Sequence, residues 1–476
     1  MIELTTPSSA RAPRSAAETG RWLAFAVTAL GAFMASLDLS IVNVAFPALE
    51  HAFPHDGRAA LAWVITGYGI AFGALLVTSG RIADRWGRRR TFFLGLCVFG
   101  VGSALCGIAP TLAALVAGRL VEGVGAAALV PSSLGLLLDA FPAERRSHAV
   151  ALWGGVGALA VATGPTLGAI LVSGAGWRWV FFVNLPVALL AWLAGRRILR
   201  ESASGTAGAR SDYLGAVLTV VPLAALVLAI SEGPAWGWSS LRVLGLFAIA
   251  VGAGAAFLRR AARHPEPALD LSLFRIRSFS VANAITLLYA MGFYAMFLGN
   301  VLYLTSVWHY PILDAGLAIT PSPILVALAS GPAGRLATRI GFRPVLLLGT
   351  AVFAAGLALY AGLAALQPDY LTRWLPASLL VGIGIGLTFP VLGAAAVSDV
   401  PSPRFAVASA VNQTARQVGG ALGVALLVVI LGSPGSPVAG LAAFRHMWLY
   451  AAAMAVAAGL ASRLLAGRRP SLRRAA

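Results

Sequence analysis

The sequence predicts an all-α polytopic membrane protein of fourteen spans, built as two six-helix pseudo-symmetric halves plus two extra linker helices. Three observations predict it. Of 476 residues, 59% are apolar and only 11% are charged, which is typical of a chain that lives in a bilayer. Fourteen apolar segments are long enough to cross a membrane, with boundaries good to a few residues. A short pattern also recurs 254 positions later in the chain.

The arginines predict the orientation of these segments. Every one of the 35 basic residues is Arg, and 28 of them fall on the side of the two termini if the chain crosses at each segment. Only five fall on the other side. Basic loops stay in the cytoplasm, so the chain is expected in the cell (inner) membrane with both termini on the cytoplasmic side. The net charge of +18 is then topogenic and predicts no nucleic-acid partner. Without Lys the chain also lacks a P-loop lysine, which argues against an ATP-driven pump.

The recurring pattern divides the chain. Residues 80–89 and 334–343 are identical at six equivalent positions, which carry Gly, Arg, Ala, Arg, Gly and Arg in that order. Two related halves of six spans follow, with two spans between them that carry no acid within the membrane. The predicted units are a cytoplasmic tail (1–21), the first half (22–200), the linker with two extra helices (201–277), the second half (278–466) and a cytoplasmic tail (467–476).

An acid lies inside the first apolar segment. Asp38 belongs to residues 37–47, and an ionised Asp at the centre of a membrane helix costs about 2.5 to 3.5 kcal/mol on lenient scales. On a helical wheel Ser40 and Asn43 share one stripe, whereas Asp38 points to the other side. Two interpretations stay open: Asp38 marks a proton or substrate path, or it is satisfied by a hydrogen bond to another helix.

The loop after the second segment contains Gly80, Asp84, Gly87 and Arg88. The glycines permit a tight turn, Asp84 is expected to cap a helix N-terminus, and Arg88 is expected to pair with Asp139 at the end of the fourth segment. Arginines that only set orientation would not require these glycines and this acid. The pattern therefore predicts a cytoplasmic latch.

Two arginines fall inside apolar segments. Arg119 and Glu122 are three residues apart and share a helix face, so they can form a purely structural ion pair or a pair that senses protons or substrate. Arg416 lies about 16 Å along its helix and cannot easily reach the membrane surface. It is expected to face a cavity or an acid, and either Asp38 or Glu122 could be that acid.

The fifth segment carries a glycine stripe. Gly154, Gly157, Gly164 and Gly168 lie on one face, and Pro165 interrupts the backbone hydrogen bonds between the last two. A membrane kink would need only the proline. The stripe predicts a tight sliding contact with a neighbouring helix.

Few other residues bring chemistry into the membrane. The six His fall in or beside loops and predict neither a metal site nor a histidine relay, and Cys97 and Cys106 are too far apart along one helix for a disulfide. Carboxylates remain as proton carriers, with no cofactor. The residues assigned to a substrate cavity are Asn43, Trp63, Tyr68, Tyr289, Tyr294, Asn300 and Arg416, although most membrane aromatics are packing or interface residues.

These motifs together resemble the major facilitator superfamily, and within it the fourteen-spanner branch of drug:proton antiporters. Residues 37–47, 80–90, 119–125, 164–168 and 177–186 carry the resemblance, in the expected order along the chain. It implies alternating access, with proton coupling at Asp38, Arg119 and Glu122, and export associated with the fifth helix. Two departures are Glu122, where the family usually has Gln, and Ser40, where Thr is usual.

The resemblance implies a proton-coupled exporter of small amphipathic or cationic compounds, driven by the proton gradient and working as a monomer in the lipid bilayer. A dedicated exporter of one natural product, peptide or lipid-like metabolite fits the same motifs. A non-transporting membrane sensor is a further alternative, against which the intact motifs argue. An enzyme is not predicted, because the chain shows no nucleophile and base cluster and no metal-ligand spacing.

Overall fold

The computed structural model describes residues 14–202, 212–264, 267, 269–401 and 404–465, and this part of the chain is helical without strands. The helices are α1 (Arg14–Ala52), α2 (Arg58–Trp86), α3 (Arg88–Gly107), α4 (Leu112–Ala140), α5 (Ala143–Ala175), α6 (Trp179–Phe182), α7 (Asn184–Ile198), α8 (Tyr213–Trp236), α9 (Leu241–Arg263), α10 (Arg277–Ser306), α11 (Ile312–Ile319), α12 (Pro321–Ile340), α13 (Phe342–Leu363), α14 (Leu375–Val397), α15 (Phe405–Leu431) and α16 (Pro437–Ser462). Within the described residues they supply fourteen spans of membrane-crossing length and apolarity, with α6 and α7 sharing the sixth and α11 and α12 the tenth. The predicted fold class is confirmed.

Helices of the first half pack closely through glycines. A methyl group on Gly125 of α4 would lie 2.4 Å from the Phe99 nitrogen of α3, and one on Gly102 of α3 would lie 2.6 Å from the Glu122 nitrogen. Neither position has room for a side chain, so the two backbones touch. This contact brings the polar residues of α3 beside those of α4.

The second half repeats this construction. Gly384 of α14 lies against Phe353 of α13, where a methyl group would be 2.5 Å from the Phe353 nitrogen. The turns between helices also correspond, because Gly87 ends α2 with φ of 119° and Gly341 ends α12 with φ of 92°, 254 positions later. Both φ values lie in the region that favours glycine, which explains why the pattern recurs in the sequence.

The contacts that join the halves include one between α15 and α2 and one between α11 and α5. Thr414 of α15 donates its hydroxyl hydrogen to the Gly73 carbonyl of α2 at 2.7 Å. On the side away from the start of α1, the Thr166 hydroxyl of α5 lies 2.7 Å from that of Thr320, just beyond α11. Gly316 of α11 packs there against α5 so closely that an added methyl group would lie 2.3 Å from Ala169.

The two linker helices form a hairpin against the α2 and α15 contact. Val227 of α8 is fully buried in one cluster with Ile70 of α2 and with Ala421 of α15. Arg260 of α9 donates to Asp212 at 2.6 Å and holds the base of the hairpin. Thus α8 touches both halves, whereas most of α9 is exposed on the outside of the bundle.

Candidate functional site

Three charged side chains meet in the interior of the first half. The Arg119 guanidinium of α4 donates from Nη1 to Asp38 Oδ2 of α1 at 2.6 Å and to Glu122 Oε2 at 2.7 Å. All three side chains are at most 1% exposed. Two carboxylates therefore share one guanidinium, and with all groups ionised this cluster, called the charge cluster below, has a net charge of −1. Such a buried arrangement persists only when nearly every polar atom has a partner.

Arg119 is held from several sides. Its Nε donates to the Val64 carbonyl of α2 at 2.8 Å. Its guanidinium lies 4.2 Å from the centre of the Tyr68 ring and 5.8 Å from that of Phe181, which places it over two aromatic faces. The Tyr68 hydroxyl in turn donates to the Ala35 carbonyl of α1 at 3.2 Å. The arginine thus links α1, α2 and α4 at one point.

Polar side chains from α3 and α7 complete the charge cluster. Ser103 donates to Glu122 Oε1 at 2.7 Å, and the Asn184 amide donates to Ser103 at 3.0 Å. The same amide nitrogen lies 3.4 Å from Asp38 Oδ1 and from Glu122 Oε1. Sequence reasoning missed both Ser103 and Asn184. Both are polar residues inside apolar segments, and Asn184 also lies in residues 177–186, one of the motifs that carry the resemblance.

The two acids differ in their hydrogen-bond donors. Glu122 accepts from Arg119, Ser103, Asn184 and, through a 3.8 Å sulfur contact, from Cys106. Asp38 accepts from Arg119 and, at 3.4 Å, from Asn184. The Glu122 carboxylate therefore has more hydrogen-bond donors around it than the Asp38 carboxylate has.

Arg88 joins the ends of α2, α3 and α4. Its Nη1 donates to both oxygens of Asp139 at 2.7 Å, so the pair predicted from the sequence is present. Its Nε and Nη2 donate to Asp84 Oδ1 at 3.0 and 2.8 Å. The arginine lies across Gly135, where a methyl group would be 2.7 Å from Arg88 Cδ. Two carboxylates on neighbouring helices are thereby bound by one side chain.

The expected helix cap in this region is wrong. Asp84 lies within the last turn of α2, where it binds the Arg88 side chain, and the N-cap residue of α3 is Gly87. The first amides of α3 donate instead to Glu201, from Arg89 at 3.0 Å and from Arg90 at 3.2 Å. Helix starts attract carboxylates, but this one arrives from beyond α7 and no local spacing could reveal it.

Another glycine of the predicted latch is in ordinary contact with a neighbouring helix. Gly80 of α2 faces Pro131 of α4, with 3.5 Å between the proline Cβ and an added methyl group. The five latch residues therefore lie at one end of the first half, on the side where α1 begins.

The glycine stripe of α5 faces α1. A methyl group on Gly164 would lie 2.3 Å from the Ser40 hydroxyl, and one on Gly168 would lie 2.9 Å from Ile41. Gly157 is in ordinary contact with α1, at 3.5 Å from the hydroxyl of Ser36. Gly154 has no atom within 4 Å, so the predicted four-glycine stripe contributes only three glycines to this contact.

Ser40 satisfies a carbonyl that Pro165 leaves free. Proline has no N–H, so the Val161 carbonyl one turn earlier lacks its normal helical partner. The Ser40 hydroxyl donates to this carbonyl at 2.9 Å. The proline on α5 and the serine on α1, two residues from Asp38, thus form one unit across the contact.

Replacing Ser40 by Ala is expected to lower the unfolding free energy by about 0.5–1.5 kcal/mol, because it leaves a backbone carbonyl unpaired inside the membrane. Thermal unfolding of the purified protein in detergent measures this. Ser330→Ala is the matched control, since the Ser330 hydroxyl donates only to the Val326 carbonyl of its own helix. Equal stability of the two variants would contradict the role given to Ser40.

Several residues assigned to a cavity lie in packed regions instead. Trp63 packs in the cluster formed with α8, and Tyr68 belongs to the charge cluster. Asn300 accepts from Trp448 Nε1 at 2.9 Å within the aromatic core of the second half. These three side chains contact other parts of the protein in this structure, and their assignment to a cavity stays a prediction.

The other cavity assignments keep unused polar atoms. Asn43 Oδ1 is buried without a hydrogen-bond partner, and the Tyr289 hydroxyl is buried near the Thr388 side chain. Tyr294 donates to Gln417 Oε1 at 3.3 Å. No carboxylate of the described residues lies within salt-bridge distance of Arg416, and its guanidinium lies 4.2 Å from the centre of the Phe389 ring, so of the two expectations only the cavity remains as a prediction. Asp38 and Glu122 are both bound by Arg119.

Two related helical halves, the first of which contains the buried charge cluster, define a membrane transporter. The profile of the Major Facilitator Superfamily matches residues 28–424 and 282–476, and the chain belongs to this superfamily. It is 34% identical over 426 residues to the tetracenomycin C resistance and export protein of Streptomyces glaucescens, covering 89% of this chain and 78% of that protein.

Two further relatives extend this comparison. The multidrug resistance protein Stp of Mycobacterium tuberculosis strain H37Rv is 35% identical over 416 residues, covering 86% of this chain and 75% of Stp. The puromycin resistance protein pur8 of Streptomyces alboniger is 36% identical over 415 residues, covering 86% of this chain and 81% of pur8. The chain is thus a multi-pass membrane protein of the drug-efflux transporter family, whose members are not enzymes.

Proposed function

We propose that this chain is a proton-coupled antiporter that exports small amphipathic compounds by alternating access, with both termini in the cytoplasm. The charge cluster is the observation that carries the proposal. Its two buried carboxylates and one arginine have a net charge of −1, and one bound proton makes it neutral. Neutralisation removes an uncompensated buried charge, so the cluster has a physical reason to bind a proton.

Asp38 is the acid that we assign to the coupling proton. It has fewer hydrogen-bond donors than Glu122, and it lies on α1, whose contact with α5 leads to the second half. A proton on Asp38 weakens its attraction to Arg119 and with it the tie between α1 and α4. Since α1 also packs tightly on α5, its displacement moves the contact that α5 makes with the second half at Thr320.

The ends of α2, α3 and α4 form the proposed latch. Arg88 with Asp84 and Asp139 keeps these helices together as a rigid end of the first half. Arg81, one turn before Asp84 on α2, donates to the Pro267 carbonyl in the segment that leads into the second half. We infer that this end closes when the transporter faces outward.

A dedicated exporter of one compound is the second candidate function. The names of the relatives support both a narrow and a broad substrate range, because some refer to a single antibiotic and another to multidrug resistance. The charge cluster serves either function equally. Transport of a broad panel by vesicles separates them, since a dedicated exporter moves a single chemical type.

Transport into inverted vesicles under an imposed proton gradient tests the proposal. Wild type is expected to move at least one compound of a broad amphipathic panel when the gradient is present, and Asp38→Asn is expected to lose at least about 90% of this gradient-driven transport. Asp56→Asn, in an exposed loop, is the control and is expected to behave like wild type. Full gradient-driven transport by Asp38→Asn would overturn the proposal, as would a wild type that moves none of the compounds.

A further inference from the structure

Arg416 is a cation without a counter-ion among the described residues. It lies eleven residues into α15, about 16 Å from the start of the helix by its rise, and is half-buried. Its Nε is buried without a hydrogen-bond partner, and no acid of the described chain is within salt-bridge distance. An arginine at this depth is costly unless it pairs with another group or lines a polar space. The described part of the protein offers it an aromatic face but no acid.

An aromatic floor lies beneath this arginine. The Phe389 ring of α14 carries the guanidinium at 4.2 Å and meets Tyr289 and Phe293 of α10 edge to face, at 5.0 and 5.1 Å between ring centres. The Tyr289 hydroxyl is buried near the Thr388 side chain. Flat apolar surface and the unpartnered Nε of Arg416 thus occur side by side.

Gln417 adds a further donor next to the first half. Its Oε1 accepts from the Tyr294 hydroxyl at 3.3 Å, which orients the amide, and its Nε2 is buried without a partner. Its side chain packs against Gly73 of α2, where an added methyl group would lie 2.8 Å from Gln417 Cβ. The unused donors therefore lie near the contact between the halves.

We propose that this region binds an acidic aromatic substrate, with a carboxylate or acidic phenol on Arg416 and its ring system over Phe389. The inference rests on the proposed export function and names the substrate class. The sequence favoured amphipathic or cationic compounds because Asp38 could face a substrate. In the structure Asp38 is fully buried on Arg119, and Arg416, two residues from the Thr414 contact with the first half, is a positive charge without an acid partner among the described residues. That charge repels a cation and pairs with an anion.

The substrate charge also fixes how transport responds to membrane potential. If a monoanion leaves as one proton enters, two units of positive charge move inward per cycle. Exchange of a monovalent cation for one proton moves none. An inside-negative potential therefore accelerates export of an acidic substrate.

Binding to purified protein in detergent tests the proposal without a proton gradient. The probes are naphthoic and anthracene carboxylic acids, each with its methyl ester and its aminomethyl counterpart, and affinity is measured by calorimetry. Wild type is expected to bind an acid about 10 to 100 times more tightly than its ester. Arg416→Gln is expected to erase this preference, and Arg416→Lys to keep part of it. Arg445→Gln, whose guanidinium donates to the Ala364 carbonyl just beyond α13, is the control.

Three outcomes would overturn the substrate class: no acid binds, esters or amines bind wild type as tightly as acids, or Arg416→Gln keeps the full preference. These outcomes are independent of proton coupling. If Asp38→Asn retains gradient-driven transport while acids still bind through Arg416, the proposed coupling fails and the substrate class stands. If Asp38→Asn loses transport but wild type shows no preference for acids, the proposed coupling stands and the substrate class fails.

Discussion

Arg119→Gln is expected to destabilise the protein by about 3–5 kcal/mol, because it leaves Asp38 and Glu122 buried without their shared cation. The lost contacts with Val64 and Tyr68 add to this effect. Thermal or denaturant unfolding in detergent measures it.

Comparing Arg119→Gln with a triple variant isolates the electrostatic part of that loss of stability. Asp38→Asn, Arg119→Gln and Glu122→Gln combined leave no charge in the cluster, so the triple variant is expected to recover most of the stability that Arg119→Gln loses. Arg178→Gln is the single-variant control, since Arg178 stacks on Trp177 at the end of α5, outside the charge cluster. Wild-type stability in Arg119→Gln, or a triple variant less stable than Arg119→Gln, would contradict this account.

Glu122→Gln is expected to keep proton-coupled transport but to move its pH profile toward acid by about 1–3 pH units. In wild type the proton converts a cluster of charge −1 into a neutral one. In the Glu122→Gln variant the unprotonated cluster is already neutral, and a proton makes it positive. Protonation of the variant then needs a lower pH.

The pH dependence of transport in vesicles measures this shift. Glu50→Gln, which breaks a pair with Arg58 near the protein surface, is the control and is expected to leave the profile in place. A profile that stays put or moves toward alkaline pH in Glu122→Gln would contradict the shared-arginine arrangement. Loss of coupling in Glu122→Gln, with coupling retained in Asp38→Asn, would assign the proton to Glu122.

The fold could be predicted because span length and arginine placement are local properties of the sequence. A membrane helix needs about 20 apolar residues wherever it packs, so fourteen spans could be counted without knowledge of their neighbours. The pair of Arg119 with Glu122 follows in the same way from a spacing of three residues on one helix. The recurring pattern with Gly87 and Gly341 likewise reflects a turn that needs a positive φ.

The remaining parts of the site depend on packing between distant elements. Asp38 and Arg119 are 81 positions apart, and their contact requires α1 to lie on α4. Asn184 reaches the charge cluster from α7, and Glu201 caps α3 from 112 positions away. No periodicity within one helix encodes such contacts, so these partners could not be read from the sequence.

Arg416 shows a different limit of sequence reasoning. A cation deep in a membrane helix was expected to face a cavity or an acid, since a buried charge requires compensation. The structure gives it the face of Phe389, and both acids named from the sequence are bound to Arg119. Charge balance alone could not decide between an internal partner and one that arrives with the substrate.

Proton release on substrate binding tests the central claim, that Asp38 carries the coupling proton. A transported compound is added to purified protein in weakly buffered detergent, and a pH indicator reports the protons released per protein. In an antiporter, substrate and proton binding oppose each other, so wild type is expected to release up to about one proton and Asp38→Asn none. Equal release from wild type and Asp38→Asn would contradict the account.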